Sequence, residues 1–292
     1  MFRGCLVALV TPFRDGRLDL HALDALVDRL IDAKVDGLVP CGTTGESPTL
    51  GDEEHAAIVS AVARRARGRA AVIAGAGTNS TAHTVHLARA ARAAGADGIM
   101  LVSPYYNRPT QEGLFQHFST VARQTGGPIM LYNIPGRTGV EIAAPTIARL
   151  RAECPDIAAV KHATGQVDGV SELAELCDIA ILSGDDPLTL PMLSVGAVGA
   201  VSVLANYAPA DVRAMIDAAL RGDWPAALRL HRRTYAISKS LLSIATNPIP
   251  IKTALALRGE MAEEFRLPMC PLGSDARRRL AEAIAAYEGA AR

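Results

Sequence analysis

Five polar stations stand where apolar runs end, and each suggests a piece of chemistry. Lys161 closes the run Ile157 to Val160 and precedes His162-Ala163-Thr164-Gly165. Of 30 basic residues only Lys34, Lys161, Lys239 and Lys252 are lysines, the rest being arginine. Arginine therefore serves wherever a generic cation is needed, and a lysine at the end of a buried strand suggests a nucleophilic amine able to form a Schiff base with a carbonyl substrate. A salt-bridged or snorkelling lysine is the plainer alternative. Tyr132 ends a second apolar run, where its hydroxyl could act as acid or base. Arg137, in the loop that follows, offers a bidentate fork for a carboxylate; a core tyrosine and a surface arginine are the corresponding plain readings.

Gly42-Thr43-Thr44-Gly45-Glu46-Ser47 places two glycines and adjacent hydroxyls where backbone can approach a ligand, hold a carboxylate or relay a proton. No GK[ST] follows, so it is at best a loose likeness of a phosphate cradle. Tyr105 and Tyr106, in Pro104-Tyr105-Tyr106-Asn107, form the kind of aromatic pair that packs or builds an interface. Ser183-Gly184-Asp185-Asp186 is an acidic turn in which Asp186 is expected to cap the next helix, with Pro187 at its first position.

These residues need elements to hold them. Short apolar runs recur at Cys5 to Val10, Gly37 to Pro40, Ala71 to Ala76, Gly98 to Val102, Pro128 to Asn133, Ile157 to Lys161, Ala180 to Ser183 and Ala200 to Val203. They lack in/out alternation, as strands buried on both faces do. Helical periodicity fills the gaps, from Leu20 to Ile31, Asp52 to Arg67, Thr81 to Ala94, Gln111 to Gln124, Ala144 to Arg151, Val167 to Leu176 and Pro187 to Val195. Thr49 or Asp52 is expected to cap the second, and Gly95 to stop the third.

Eight strands alternating with helices predict an α/β fold, a (β/α)8 TIM barrel over residues 1–206, with an open doubly wound sheet as the alternative. Four further helical stretches predict a C-terminal helical extension, 207–292, packed on the barrel as one unit. In such barrels chemistry sits at the carboxyl ends of the strands, where the five stations fall.

Thirty basic against 30 acidic residues argue against a nucleic-acid or acidic-membrane partner. No apolar run approaches a membrane span, and no secretory signal is expected at the N-terminus. Five cysteines without CxxC spacing read as small buried hydrophobes in a cytoplasmic protein. Seven histidines show no metal-ligand spacing beyond His83 and His86, a pair expected to face solvent.

Taken in order, GTTGES, PYYNRP, YNIPGRTG, the lysine of KHATG, SGDD and the Ala200 to Asn206 run resemble the dihydrodipicolinate synthase / N-acetylneuraminate lyase family over essentially the whole chain. The resemblance implies condensation of pyruvate, held as an imine on Lys161, with L-aspartate 4-semialdehyde, in lysine and diaminopimelate biosynthesis. No cofactor is implied beyond that covalent imine. Tyr132 falls on the general acid/base, and Thr43 with Tyr106 on its proton relay. Thr44, Val201 and Gly184 fall on the pyruvate pocket, and Arg137 on the contact to the semialdehyde's carboxylate.

The family's Tyr106 equivalent enters a neighbouring subunit's site, implying at least a homodimer and usually a homotetramer. An effector site for lysine is implied at Ser47, His55, Asn79, His83 and Tyr105. His83 stands where an acidic residue often holds the effector's ammonium, which argues against lysine control. His162 replaces the usual glutamate, on the strand face opposite Lys161. A retro-aldol lyase for sialic acid or a 2-keto-3-deoxy sugar acid is the alternative activity, and a non-catalytic binding paralogue the alternative class.

Overall fold

The computed structural model describes residues 1–289. Its eight parallel strands are β1 (Gly4–Ala8), β2 (Gly37–Val39), β3 (Ala71–Gly75), β4 (Gly98–Val102), β5 (Ile129–Asn133), β6 (Ile157–His162), β7 (Ala180–Ser183) and β8 (Gly199–Ser202). They pair in sequential order and close into a barrel, which excludes the open sheet. Closure falls where β8 meets β1, with Gly4 opposite Gly199. A Cβ on Gly199 would stand 2.2 Å from the Gly4 carbonyl oxygen, so only glycine lets the two backbones approach.

The helices are α1 (Leu20–Asp32), α2 (Asp52–Ala66), α3 (Thr81–Ala93), α4 (Gln111–Thr125), the short α5 (Pro135–Thr138), α6 (Ala144–Glu153), α7 (Asp168–Leu176), α8 (Thr189–Ser194), α9 (Pro209–Leu220), α10 (Trp224–Ser243), α11 (Ile249–Leu257) and α12 (Ser274–Gly289). α1 shows how they form. Asp19 accepts from the Ala22 N–H at 3.0 Å, and Leu23, Leu26, Val27 and Leu30 fall on one face and are buried.

Three local expectations are corrected. The N-cap of α2 is Gly51, whose N–H donates to Glu54 at 3.1 Å, and Asp52 lies inside the first turn. Asp186 does not cap its own helix: its carboxylate accepts from the N–H groups of Val203 and Leu204, both at 2.9 Å, and from the Ser202 hydroxyl. It thereby ties the turn after β7 to the turn after β8. The expected helix from Pro187 begins instead as a 3-10 turn, and α8 starts at Thr189. Gly95, at φ +100°, does end α3.

The extension lies against the barrel: α9 packs on β1, while α10 packs on α9 and α12. Tyr207 donates to Glu288 and Tyr287 to Asp211, each at 2.5 Å. Among the described residues no helix is long and apolar enough to cross a membrane. The cysteines are unpaired; Cys5, Cys41 and Cys154 are buried, but Cys270 is exposed.

Candidate active site

Lys161 and Tyr132 are register partners on β6 and β5, at the carboxyl ends of both strands. Each is 4% exposed, and the Lys161 amine stands 4.1 Å from the centre of the Tyr132 ring. Among the described residues that amine has no carboxylate partner, unlike Lys252, whose Nζ meets Glu46 at 2.5 Å. Gly184, next after β7, leaves room for the lysine chain: a Cβ there would lie 3.0 Å from Lys161 Cε and 2.7 Å from the Ala163 Cβ.

The turn after β2 is wound tightly, with Gly45 N–H on Gly42 at 3.1 Å and Glu46 N–H on Thr43 at 3.1 Å. Cys41 and Glu46 both take left-handed backbone, at φ 56° and 55°, a strain that surrounding contacts must hold. They do: the Thr11 hydroxyl donates to the Gly45 carbonyl at 2.8 Å, and Glu46 is buried against Lys252. Thr43 and Tyr132 line one small cavity of about 30 Å³. Thr43 also lines a larger cavity of about 320 Å³ shared with Arg137 and Tyr105. Thr44 is buried, receiving the Asn247 Nδ2–H at 3.0 Å, and Arg137 Nη2 donates to the Asn247 carbonyl at 3.1 Å. Val201 is buried in β8 and lines neither cavity.

Tyr106 is not brought to the site within one chain. It is 91% exposed, at φ 72°, in a loop pinned by Asn107 on the Asn79 carbonyl and by Arg108 on the Gly139 carbonyl, both at 2.9 Å. The expected effector residues Ser47, His55, Asn79, His83 and Tyr105 all line the larger cavity. That cavity is not without an acid, as expected from His83: Asp52 lines it too, and its two oxygens take His83 and His86 at 3.1 Å each. His55 donates Nε2–H to the Gly75 carbonyl at 2.6 Å, and burial pulls its imidazole down.

His162 does turn from Lys161. Its Nε2 meets Thr164 Oγ1 at 2.8 Å and the Gln166 carbonyl at 3.0 Å, and burial lowers its pKa. Burial also lifts the Asp185 carboxyl, against the pull of Lys239.

Sequence reasoning missed three residues around the site. Lys252, read as a helical lysine where charge alone suffices, is 0% exposed and lies over the Phe13 and Phe265 rings at 4.4 and 5.0 Å. Burial pulls its amine below the ordinary lysine range while Glu46 opposes that pull. Asp52 and Asn247 sit in no motif, and only the fold brings them to their partners.

An amine and a phenol paired across adjacent strands, at the catalytic end of a closed (β/α)8 barrel, define a barrel equipped for amine chemistry on carbonyl compounds. The chain belongs to the dihydrodipicolinate synthetase family, whose model matches residues 1–287. It is 49% identical to the 4-hydroxy-tetrahydrodipicolinate synthase of Pelobacter propionicus, over 98% of this chain and 99% of that one. To the enzyme of the same name from Geobacter metallireducens it is 46% identical, over 99% of each. The crystal structure of dihydrodipicolinate synthase from Aquifex aeolicus superposes with a TM-score of 0.96 at 44% identity, over 98% of both chains. The 4-hydroxy-tetrahydrodipicolinate synthase of Methylacidiphilum fumariolicum SolV gives 0.97 at 47% identity, over 98% of this chain and 96% of that chain.

Proposed function

We propose that the chain is a 4-hydroxy-tetrahydrodipicolinate synthase, a lyase of lysine and diaminopimelate biosynthesis, with its chemistry centred on Lys161. The observation that carries the site assignment is the buried Lys161 amine, free of any carboxylate and set over Tyr132 at the barrel's carboxyl end. An acid salt-bridged to that amine would hold it protonated; without one it can be the nucleophile.

The amine adds to the ketone carbon of pyruvate and water leaves, giving an imine. Loss of a methyl proton yields an enamine, which attacks the aldehyde carbon of L-aspartate 4-semialdehyde. The semialdehyde's own amine then displaces Lys161 and closes the ring, so no separate cofactor enters. Tyr132 is the group poised to move protons at the imine, and Thr43, sharing its cavity, is the next relay. Two carboxylates need two holders: the hydroxyl of Thr44, with backbone at Val201 and Gly184, for pyruvate, and Arg137 for the semialdehyde.

Tyr106 completes the relay from a second copy. In support, its ring stands exposed on a loop pinned at both following residues. The working form is therefore at least a homodimer and, as in the family at large, a homotetramer. The barrel and the extension act as one unit, and the unpaired cysteines fit the reducing cytoplasm. The test is turnover with pyruvate and L-aspartate 4-semialdehyde, with and without lysine. Turnover that lysine leaves unchanged is expected, because the Asp52 carboxylate is engaged by two imidazoles; absence of turnover overturns the assignment.

A further inference from the structure

Asn247 lies in the connection between α10 and α11, outside the barrel, yet it touches both residues given to substrate carboxylates. Its Nδ2 donates to Thr44 Oγ1 at 3.0 Å, and its backbone carbonyl accepts from Arg137 Nη2 at 3.1 Å. The residue is 9% exposed, and its amide oxygen Oδ1 is buried without a hydrogen-bond partner. Native structures rarely leave such an acceptor unmet, and the exceptions point to a donor that arrives with a ligand. Donation by Nδ2 also leaves the Thr44 proton free for a carboxylate, which fixes the sense of the amide.

The second substrate of the proposed reaction carries an α-ammonium beside the carboxylate addressed to Arg137. An ammonium has three donors and no acceptor, so it requires an oxygen close to that arginine. Asn247 presents one from the residue that already holds Arg137. A carboxylate there would pair with Arg137 itself; a neutral amide does not compete for the guanidinium.

We propose that Asn247 determines specificity for an amino-acid aldehyde, its Oδ1 accepting from the substrate's ammonium while its Nδ2 and backbone carbonyl position Thr44 and Arg137. The inference rests on the synthase reading, and the experiment separates the two. Asn247→Leu and Asn247→Ala, each checked for a native circular-dichroism spectrum, are assayed with L-aspartate 4-semialdehyde and with succinic semialdehyde, the same aldehyde without the amine, as competing inhibitor. Trapping of the pyruvate imine by borohydride at saturating pyruvate reports the first half-reaction.

Loss of one charge-assisted hydrogen bond predicts a fall of about tenfold or more in kcat/KM for the aminated aldehyde, with the Ki of succinic semialdehyde moving less than about threefold and trapping retained. Asn247→Asp, which keeps an acceptor, retains discrimination for the amine. Equal losses for both aldehydes reduce Asn247 to a structural role and overturn the proposal. Discrimination that collapses in Asp185→Asn instead transfers the role to that carboxylate and overturns it as well. Wild-type protein that forms the imine but does not turn over the aminated aldehyde sinks the synthase reading, and this inference with it.

Discussion

Lys161 works within a space measured in tenths of an ångström. Gly184 is in ordinary backbone conformation, so what its position forbids is volume and not a dihedral angle. Gly184→Ala places a methyl 3.0 Å from Lys161 Cε and 2.7 Å from Ala163. Overpacking of this kind costs about 1–3 kcal/mol and here also displaces the amine. The expected outcome is a fall of about tenfold or more in the rate of imine formation, against a modest loss of stability, measured by single-turnover trapping and urea unfolding. Lys161 and Tyr132 were legible in the sequence because each ends an apolar run, and strand register then set them side by side. Asp186 misled because a Pro after an acid reads as a local cap, while its carboxylate is used by backbone 17 and 18 residues away.

At the scale of elements, the turn after β2 is held from the far end of the chain. Glu46 meets Lys252 of α11, 206 residues on, and accepts the Arg266 N–H at 3.1 Å; Thr44 meets Asn247, 203 residues on. No periodicity encodes contacts of that separation, which is why Lys252 and Asn247 escaped sequence reasoning although the helices bearing them did not. The C-terminal extension therefore braces a strained loop. Lys252→Met leaves the Glu46 charge buried and unpaired, and a loss of about 3–5 kcal/mol is expected. Adding Glu46→Gln should recover much of that loss, because the uncompensated charge is gone. Urea unfolding of the two single variants and the double variant measures the coupling.

For the whole molecule, alternation of apolar runs with helical segments was enough to read the architecture. Closure was not, because it depends on Gly4 and Gly199 meeting across nearly 200 residues. Packing also sets how stability responds to acid. Burial pushes His117 down to about 4 from its ordinary 6.5. Its Nδ1 meets the Thr81 hydroxyl at 2.9 Å, and its Nε2 is buried without a partner. Between those two pH values the unfolded chain binds a proton that the folded chain refuses. Stability is therefore whole above about pH 6.5 and drains as pH falls toward 4, with about 3 kcal/mol at stake from this residue. His55 and His162, lowered by the same burial, act in the same direction. His117→Phe should flatten the decline, seen as a smaller drop in urea midpoint between pH 7 and pH 5.

The central claim is that Lys161 is the covalent centre, and it meets its most direct test in reduction with borohydride in the presence of pyruvate, followed by peptide mass spectrometry. The expected result is a reduced pyruvate adduct on the peptide containing Lys161, absent from Lys161→Ala. An unlabelled wild type, or an adduct on Lys34, Lys239 or Lys252 in its place, would contradict it.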